Sequence, residues 1–171
     1  MTRPLLASAL VCVLAACGDP APPGAPDAPA SADVAPVDVL DAAALGAWLP
    51  AAVDGRPRTA VVDSTDAALG AAVTRASATY GGGPDVTVAV SDLGSADMAE
   101  MMGYGWGLDG RAEGDVGGHP ARAEGGVASR PYEHRVLVAE RFLVEAESLS
   151  EALAAAAVRA VDLDGLAGAG R

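Results

Sequence analysis

Polar and apolar positions alternate most cleanly at residues 85–91, where Val86, Val88 and Val90 interleave with Thr87, Ala89 and Ser91. A period of two buries one face of a β-strand, because successive side chains point to opposite sides of a sheet. Residues 72–80 precede this strand across Gly81-Gly82-Gly83-Pro84, so the two segments are predicted to pair as a hairpin with a glycine-rich connection. A second hairpin is predicted from residues 132–139 and 141–147 around Glu140. Its apolar content is Val136, Leu137, Val138, Phe142, Leu143 and Val144. Residues 58–63 form a short β-rich stretch. Residues 103–129 are glycine-laden, with one strand expected at 117–122.

Helical periods punctuate these strands. Asp38 is placed to cap a helix in which Leu40, Ala43, Ala44, Ala47 and Trp48 share a face and Pro50 ends the run. Ser95 is placed to cap a short helix carrying Met98, Met101 and Met102 on one side, ended by Gly103. Ser148 and Glu151 make an S-x-x-E capping box, opening a helix that aligns Leu149, Leu153, Ala156, Ala160 and Leu163. No internal repeat of useful period is visible. Strands in adjacent hairpins that do not alternate strictly with helices predict an α+β fold, a mostly antiparallel sheet of about five or six strands packed against two or three helices.

Composition changes this picture in two ways. The chain has 171 residues, 51% hydrophobic but only 4% aromatic, enough for one domain at residues 38–171 with a thin, alanine-rich core. Its 11 cationic side chains are all Arg and face 23 acids, leaving a net charge of −12. That balance argues against a nucleic-acid partner, which requires a basic footprint.

The first residues carry an address. Arg3 supplies a positive start, and residues 5–16 form an apolar run interrupted only by Ser8. Residues 4–16, at about 1.5 Å each, reach roughly 20 Å as a helix, too short for a hydrocarbon core of ~30 Å. A cleaved signal at residues 1–16 is therefore expected. Residues 17–37 follow as a linker of Ala, Pro, Gly, Asp and Ser, semi-extended because proline fixes φ and nothing bulky is present to pack.

The apolar run ends in Leu14-Ala15-Ala16-Cys17, which resembles the lipobox of bacterial lipoproteins. In that family a diacylglycerol is attached to the cysteine sulfur and signal peptidase II cuts just before it. The resemblance makes Cys17 the lipidated first residue and the membrane a partner through covalent lipid. Each buried methylene contributes about 0.8 kcal/mol, so two or three acyl chains hold such a protein firmly. Losing Arg3 leaves a mature chain more acidic still, so adhesion would rest on the acyl anchor and not on charge. Cys12 leaves with the signal, so the mature chain has neither disulfide nor free thiol. Among enterobacterial members an Asp after the cysteine tends to retain the protein at the inner membrane. Gly18 stands there instead, which in a diderm organism favours the outer membrane facing the periplasm. The order of elements in the domain also loosely resembles PsbP/Mog1-like domains, an architectural likeness that carries no residue roles.

Candidate chemistry in the domain is sparse. Met98, Met101 and Met102 with His119 or His134 are soft ligands suited to Cu(I), but methionines at helical spacing also read as a buried face. Asp109, Glu113 and Asp115 offer hard oxygens for Ca²⁺ without an EF-hand order, and read equally as solvated acids. Gly103-Tyr104-Gly105-Trp106-Gly107-Leu108 lacks the spacing of a phosphate-binding loop, yet it could present Tyr104 and Trp106 to a ligand or partner. No nucleophile motif occurs, and catalytic carboxylate pairs would be assembled only in space. The expectation is a lipid-anchored cell-envelope protein with a non-catalytic ligand- or partner-binding, or structural, domain. Tyr104, Trp106 and His119 are its candidate contacts, the protein or small-molecule partner is unknown, and no metal or cofactor is expected. The alternatives are an envelope enzyme with a spatially assembled carboxylate or His site, or a metal-binding protein.

Overall fold

The computed structural model describes residues 38–68, 71–82, 85–107, 110–125 and 130–170. The expected signal, Cys17, the linker, Leu108 and Asp109 lie outside the described residues. Eight strands form one sheet: β1 (Ala52–Val53), β2 (Arg56–Ala68), β3 (Ala71–Tyr80), β4 (Val86–Asp92), β5 (Gly114–Val116), β6 (His119–Glu124), β7 (Tyr132–Val138) and β8 (Phe142–Ser148). Their spatial order is β1-β2-β3-β4-β8-β7-β6-β5, and every pairing is antiparallel. The sheet is thus two four-stranded meanders joined where β4 meets β8, and it curls into a half-barrel. Four α-helices accompany it: α1 (Ala42–Gly46), α2 (Ala96–Ala99), α3 (Glu151–Arg159) and α4 (Leu163–Ala169).

Tight turns set the hairpin registers. Asp54-Gly55 and Gly117-Gly118 have positive φ at both residues, the backbone that two-residue hairpins need to match strand twist, and Ala139-Glu140 repeat it in a three-residue connection that ends with Arg141. Ala139 and Glu140 adopt it at φ 51° and 56° without glycine, so this turn holds local strain that the long β7–β8 pairing offsets. The mostly antiparallel sheet and both predicted hairpins are present, but eight strands replace five or six. The surplus is β1 and β5, and the stretch expected at residues 58–63 is the much longer β2. Residues 117–122 are not one strand either: Gly117 and Gly118 turn the chain between β5 and β6.

The period of two sends the two sides of each strand to different environments. One side carries Val86, Val88, Val90, Val136, Val138, Phe142 and Val144, all fully buried. Leu45 and Leu49, together with α3 and α4, close over them. Burying each such side chain contributes about 1.5–3 kcal/mol. The other side carries Val73, Leu137 and Leu143 at one end, covered by Leu93, Met98, Ala99 and Trp106. Beyond that apolar patch it is polar. The first is the helix-covered face and the second the open face.

The helices start where short polar side chains take up orphan N–H groups, though not always at the expected residue. Asp41 caps α1, not Asp38, its carboxylate accepting from Ala44 N at 2.7 Å. Ser95 caps α2 as expected, but Met101 is exposed while Met98 is buried. The predicted capping box at Ser148 is displaced, because Ser148 still belongs to β8 and donates to Asp85 O at 2.6 Å. Ser150 caps α3 in its place, leaving Leu149 exposed. The expected continuous final helix is broken after Arg159, and Asp162 caps α4 through Gly165 N at 3.0 Å.

Each meander ends in a strand followed by a helix, yet the two helices lie on opposite faces. Only Leu149 separates β8 from the cap of α3, whereas Leu93 and Gly94 separate β4 from the cap of α2. Gly94, at φ 79°, supplies the left-handed residue in that longer connection. From α2 the chain continues through a π-turn (Glu100–Tyr104) and a 3₁₀ turn (Gly105–Gly107), a small lobe at one end of the open face.

Candidate functional site

Strand register arranges the open face in rows. Ser77, Ala89, Glu145, Arg135 and Arg122 lie side by side across β3, β4, β8, β7 and β6. Thr79, Thr87, Glu147, Glu133 and Glu124 form the next row outward. Directly opposed like charges repel across a sheet, so the Glu147-Glu133-Glu124 row needs the arginines beside it.

Those arginines knit a ladder. Arg75 donates to Ser91 Oγ at 3.2 Å and pairs with Glu145. Glu145 also lies 3.4 Å from Arg135 Nε. Arg135 grips Glu133 with Nε at 3.0 Å and Nη2 at 2.7 Å, and reaches Glu124 at 3.6 Å. Arg122 Nε lies 3.2 Å from Glu124 and 3.4 Å from Glu113, but its N–H is aligned with neither carboxylate. Partly exposed pairs of this kind contribute little individually. Their effect here is positional, since Arg75, Glu145, Arg135 and Glu124 are each held from two sides.

Burial raises the Glu133 carboxyl above its ordinary value, with Arg135 opposing and Glu145 and Glu147 assisting. A carboxyl raised in this way beside a second one is the arrangement a general acid uses. Both Glu133 oxygens, however, are already taken by Arg135, so the pair is built as a strut rather than as a free acid.

Tyr104 and Trp106 stand on the lobe beside this ladder. Tyr104 is half-buried; burial raises its phenol, and Glu145 adds to the rise. Trp106 packs with Met98, Leu137 and Leu143 and is only 5% exposed. Gly107 lets the lobe sit this close, because a Cβ there would come within 2.6 Å of Leu137 Cδ2. An open cleft of about 430 Å³ runs along the lobe, lined by Glu100, Gly103, Gly105, Trp106, Arg111 and Arg122.

The third predicted contact is elsewhere. His119 is on the helix-covered side, its Nε2 3.7 Å from Asp164 Oδ1 of α4. The sheet therefore separates His119 from Tyr104 and Trp106, and the three cannot contribute to one contact. His134 also faces the helices, where burial lowers its basicity against a weaker opposing pull from Glu151. Met98 and Met102 pack on the open face, so the copper set of Met with His is divided too. Glu113 pairs with Arg122, and Asp115 accepts from Gly118 N at 3.0 Å, which accounts for both described members of the calcium set. Among the described residues no three His, Cys, Asp or Glu side chains are grouped to hold a metal ion.

Sequence reasoning missed the most deeply placed charge. Asp92 is fully buried and accepts from Arg141 Nε at 2.8 Å and Nη2 at 2.7 Å, from Leu40 N at 2.8 Å and from Gly94 N at 2.9 Å. Arg141 also donates to Asp38 O at 2.7 Å and lies over the Phe142 ring. With every lone pair engaged, this clamp fastens residues 38–40 to the end of the sheet. It is a structural element in which the Asp92 carboxylate is fully occupied. No family model, curated protein or solved structure matches the chain.

Proposed function

We propose that this chain is a lipid-anchored cell-envelope protein, held through Cys17, whose α+β domain binds a partner or small ligand and performs no chemistry of its own. The observation that carries the anchor is Leu14-Ala15-Ala16-Cys17 at the end of an apolar run of signal length. In a diderm organism, Gly18 after the cysteine favours the outer membrane, with the domain facing the periplasm on a proline-rich spacer.

The binding half of the proposal is supported by the asymmetry of the sheet. Its helix-covered face buries the apolar core, whereas the open face presents fixed charges, the half-buried hydroxyls of Ser77, Thr79 and Thr87, and the cleft beside Trp106. Side chains held in place before binding lose less entropy on contact. Growth of expressing cells with a clickable fatty-acid analogue tests the anchor. Label is expected on the unaltered chain and absent from Cys17→Ala; label that persists in Cys17→Ala contradicts it.

A further inference from the structure

The two edges of the sheet are treated differently. One ends in β5, three residues long, beside a β6 that contains Pro120. Short strands and proline blunt an edge against further pairing. The opposite edge is β2, thirteen residues long. There β1 covers only Arg56 and Pro57, and Arg58 N reaches Ala51 O. Among the described residues no backbone group pairs with the outer side of β2 beyond Arg58. Residues 59–68 contain no proline and no basic residue. The large apolar side chains most exposed among the described residues include two neighbours on this edge, Val61 at 46% and Val62 at 64%.

We propose that this edge is a self-pairing seam, and that a second copy of the chain adds to it by antiparallel β2–β2 pairing about a two-fold axis. Charge selects the occupant and the register. A chain with net charge −12 can approach its own copy only where carboxylates are sparse, and residues 60–64 hold one, Asp63. Antiparallel partners must share a face, so the axis can pass through Val61, Val62 or Asp63. An axis at Asp63 sets two carboxylates directly opposite each other, a repulsive pair. An axis at Val61 runs the pairing into the register shift of β2 between Arg58 and Ala60. With the axis at Val62, the seam lies wholly within the regular ladder. Val62 then meets Val62 of the second copy on the open face, Val61 meets Asp63, and Ala60 meets Ser64. The Asp63 carboxylate lies on the helix-covered side, near Gly46 of α1, away from the valine pair. Main-chain hydrogen bonds supply the affinity of such strand addition. A seam this short gives a concentration-dependent dimer, and the inference does not rest on the lipid anchor.

Sedimentation velocity of the full chain in a mild non-ionic detergent tests it. The protein mass is expected to rise toward a doubling with concentration, to stay monomeric in Val62→Lys, and to be unaffected in Leu149→Lys, which adds the same charge at another exposed site. Hydrogen exchange on the unaltered chain is expected to slow at residues 60–64 as concentration rises. A monomer at every soluble concentration overturns the proposal, as does a dimer that survives in folded Val62→Lys. If Val62→Lys fails to fold, exchange at residues 60–64 that does not respond to concentration overturns it. Protection there in a persistent monomer means another segment or partner occupies the edge, and overturns it equally.

Discussion

The two faces of the sheet are made from the same strands and meet opposite fates. On β4, Val86, Val88 and Val90 enter a closed core, while Thr87 looks the other way and is only half-buried. On β7 and β8, Val136 and Val144 go inward while Arg135 and Glu145 are left outside, tied to each other. One face is held by excluded water and the other by fixed charge. Changes on the covered side should unfold the domain, and changes on the open side should leave it folded while altering the surface proposed above for binding.

The largest effect is expected at the clamp that closes the sheet end. Asp92→Ala strands the partly buried Arg141 guanidinium and the N–H groups of Leu40 and Gly94, and should cost about 3 kcal/mol or more. Urea unfolding followed by circular dichroism reads this directly; a cost below about 1 kcal/mol would place the clamp in solvent-like surroundings. Next, Leu45→Ala removes a fully buried side chain from the covered face and should cost about 2–5 kcal/mol. Thr87→Ala, on the opposite side of the same sheet, should stay within about 0.5 kcal/mol. Equal costs for these two would erase the distinction between the faces.

Much of this division was legible from the alternation of residues alone. Val86, Val88 and Val90 declared their strand, and both hairpins were readable because each pairs neighbouring runs across a short connection. The strand β5 was not, since three residues of Gly114–Val116 hold too little pattern, and β6 was legible only over residues 119–122, because Gly117-Gly118 read as part of it when they turn the chain. The final helix was misread for a local reason: its apolar positions continue through the break, and only the Asp162 cap marks it. Of the candidate contacts, Tyr104 and Trp106 share the lobe. His119 could not be sorted from them, because which face a strand residue joins depends on a register set by distant pairing. The charged ladder had a faint signature, with Glu133 and Arg135, and Glu145 and Glu147, each two apart. Only the opposition of β7 and β8 brings those pairs together.

Smaller effects sharpen the comparison on the open side. Glu145→Gln withdraws the carboxylate shared by Arg75 and Arg135 and should cost about 1 kcal/mol in stability. The loss should shrink in high salt, whereas that of Leu45→Ala should not. The smallest effect is a pair of opposed pH dependences. Burial lowers His134 below its ordinary 6.5, so the unfolded chain takes up the proton first and stability falls as pH drops below that value. Burial raises Glu133 above 4.5, so its contribution is present below that value and is lost as pH rises through the folded-state pKa. His134→Gln should flatten the first dependence and Glu133→Gln the second, measured as unfolding midpoints across pH. Slopes unchanged in both variants would mean that neither group titrates differently in the folded domain.

The proposed role at the cell envelope depends on lipid carried by Cys17. Intact-mass analysis of the native protein extracted from membranes measures this most directly. A chain that begins at Cys17 and carries the added mass of a diacylglycerol with its acyl chains is predicted. A freely soluble protein whose first residue is not Cys17, with no lipid mass, would contradict it.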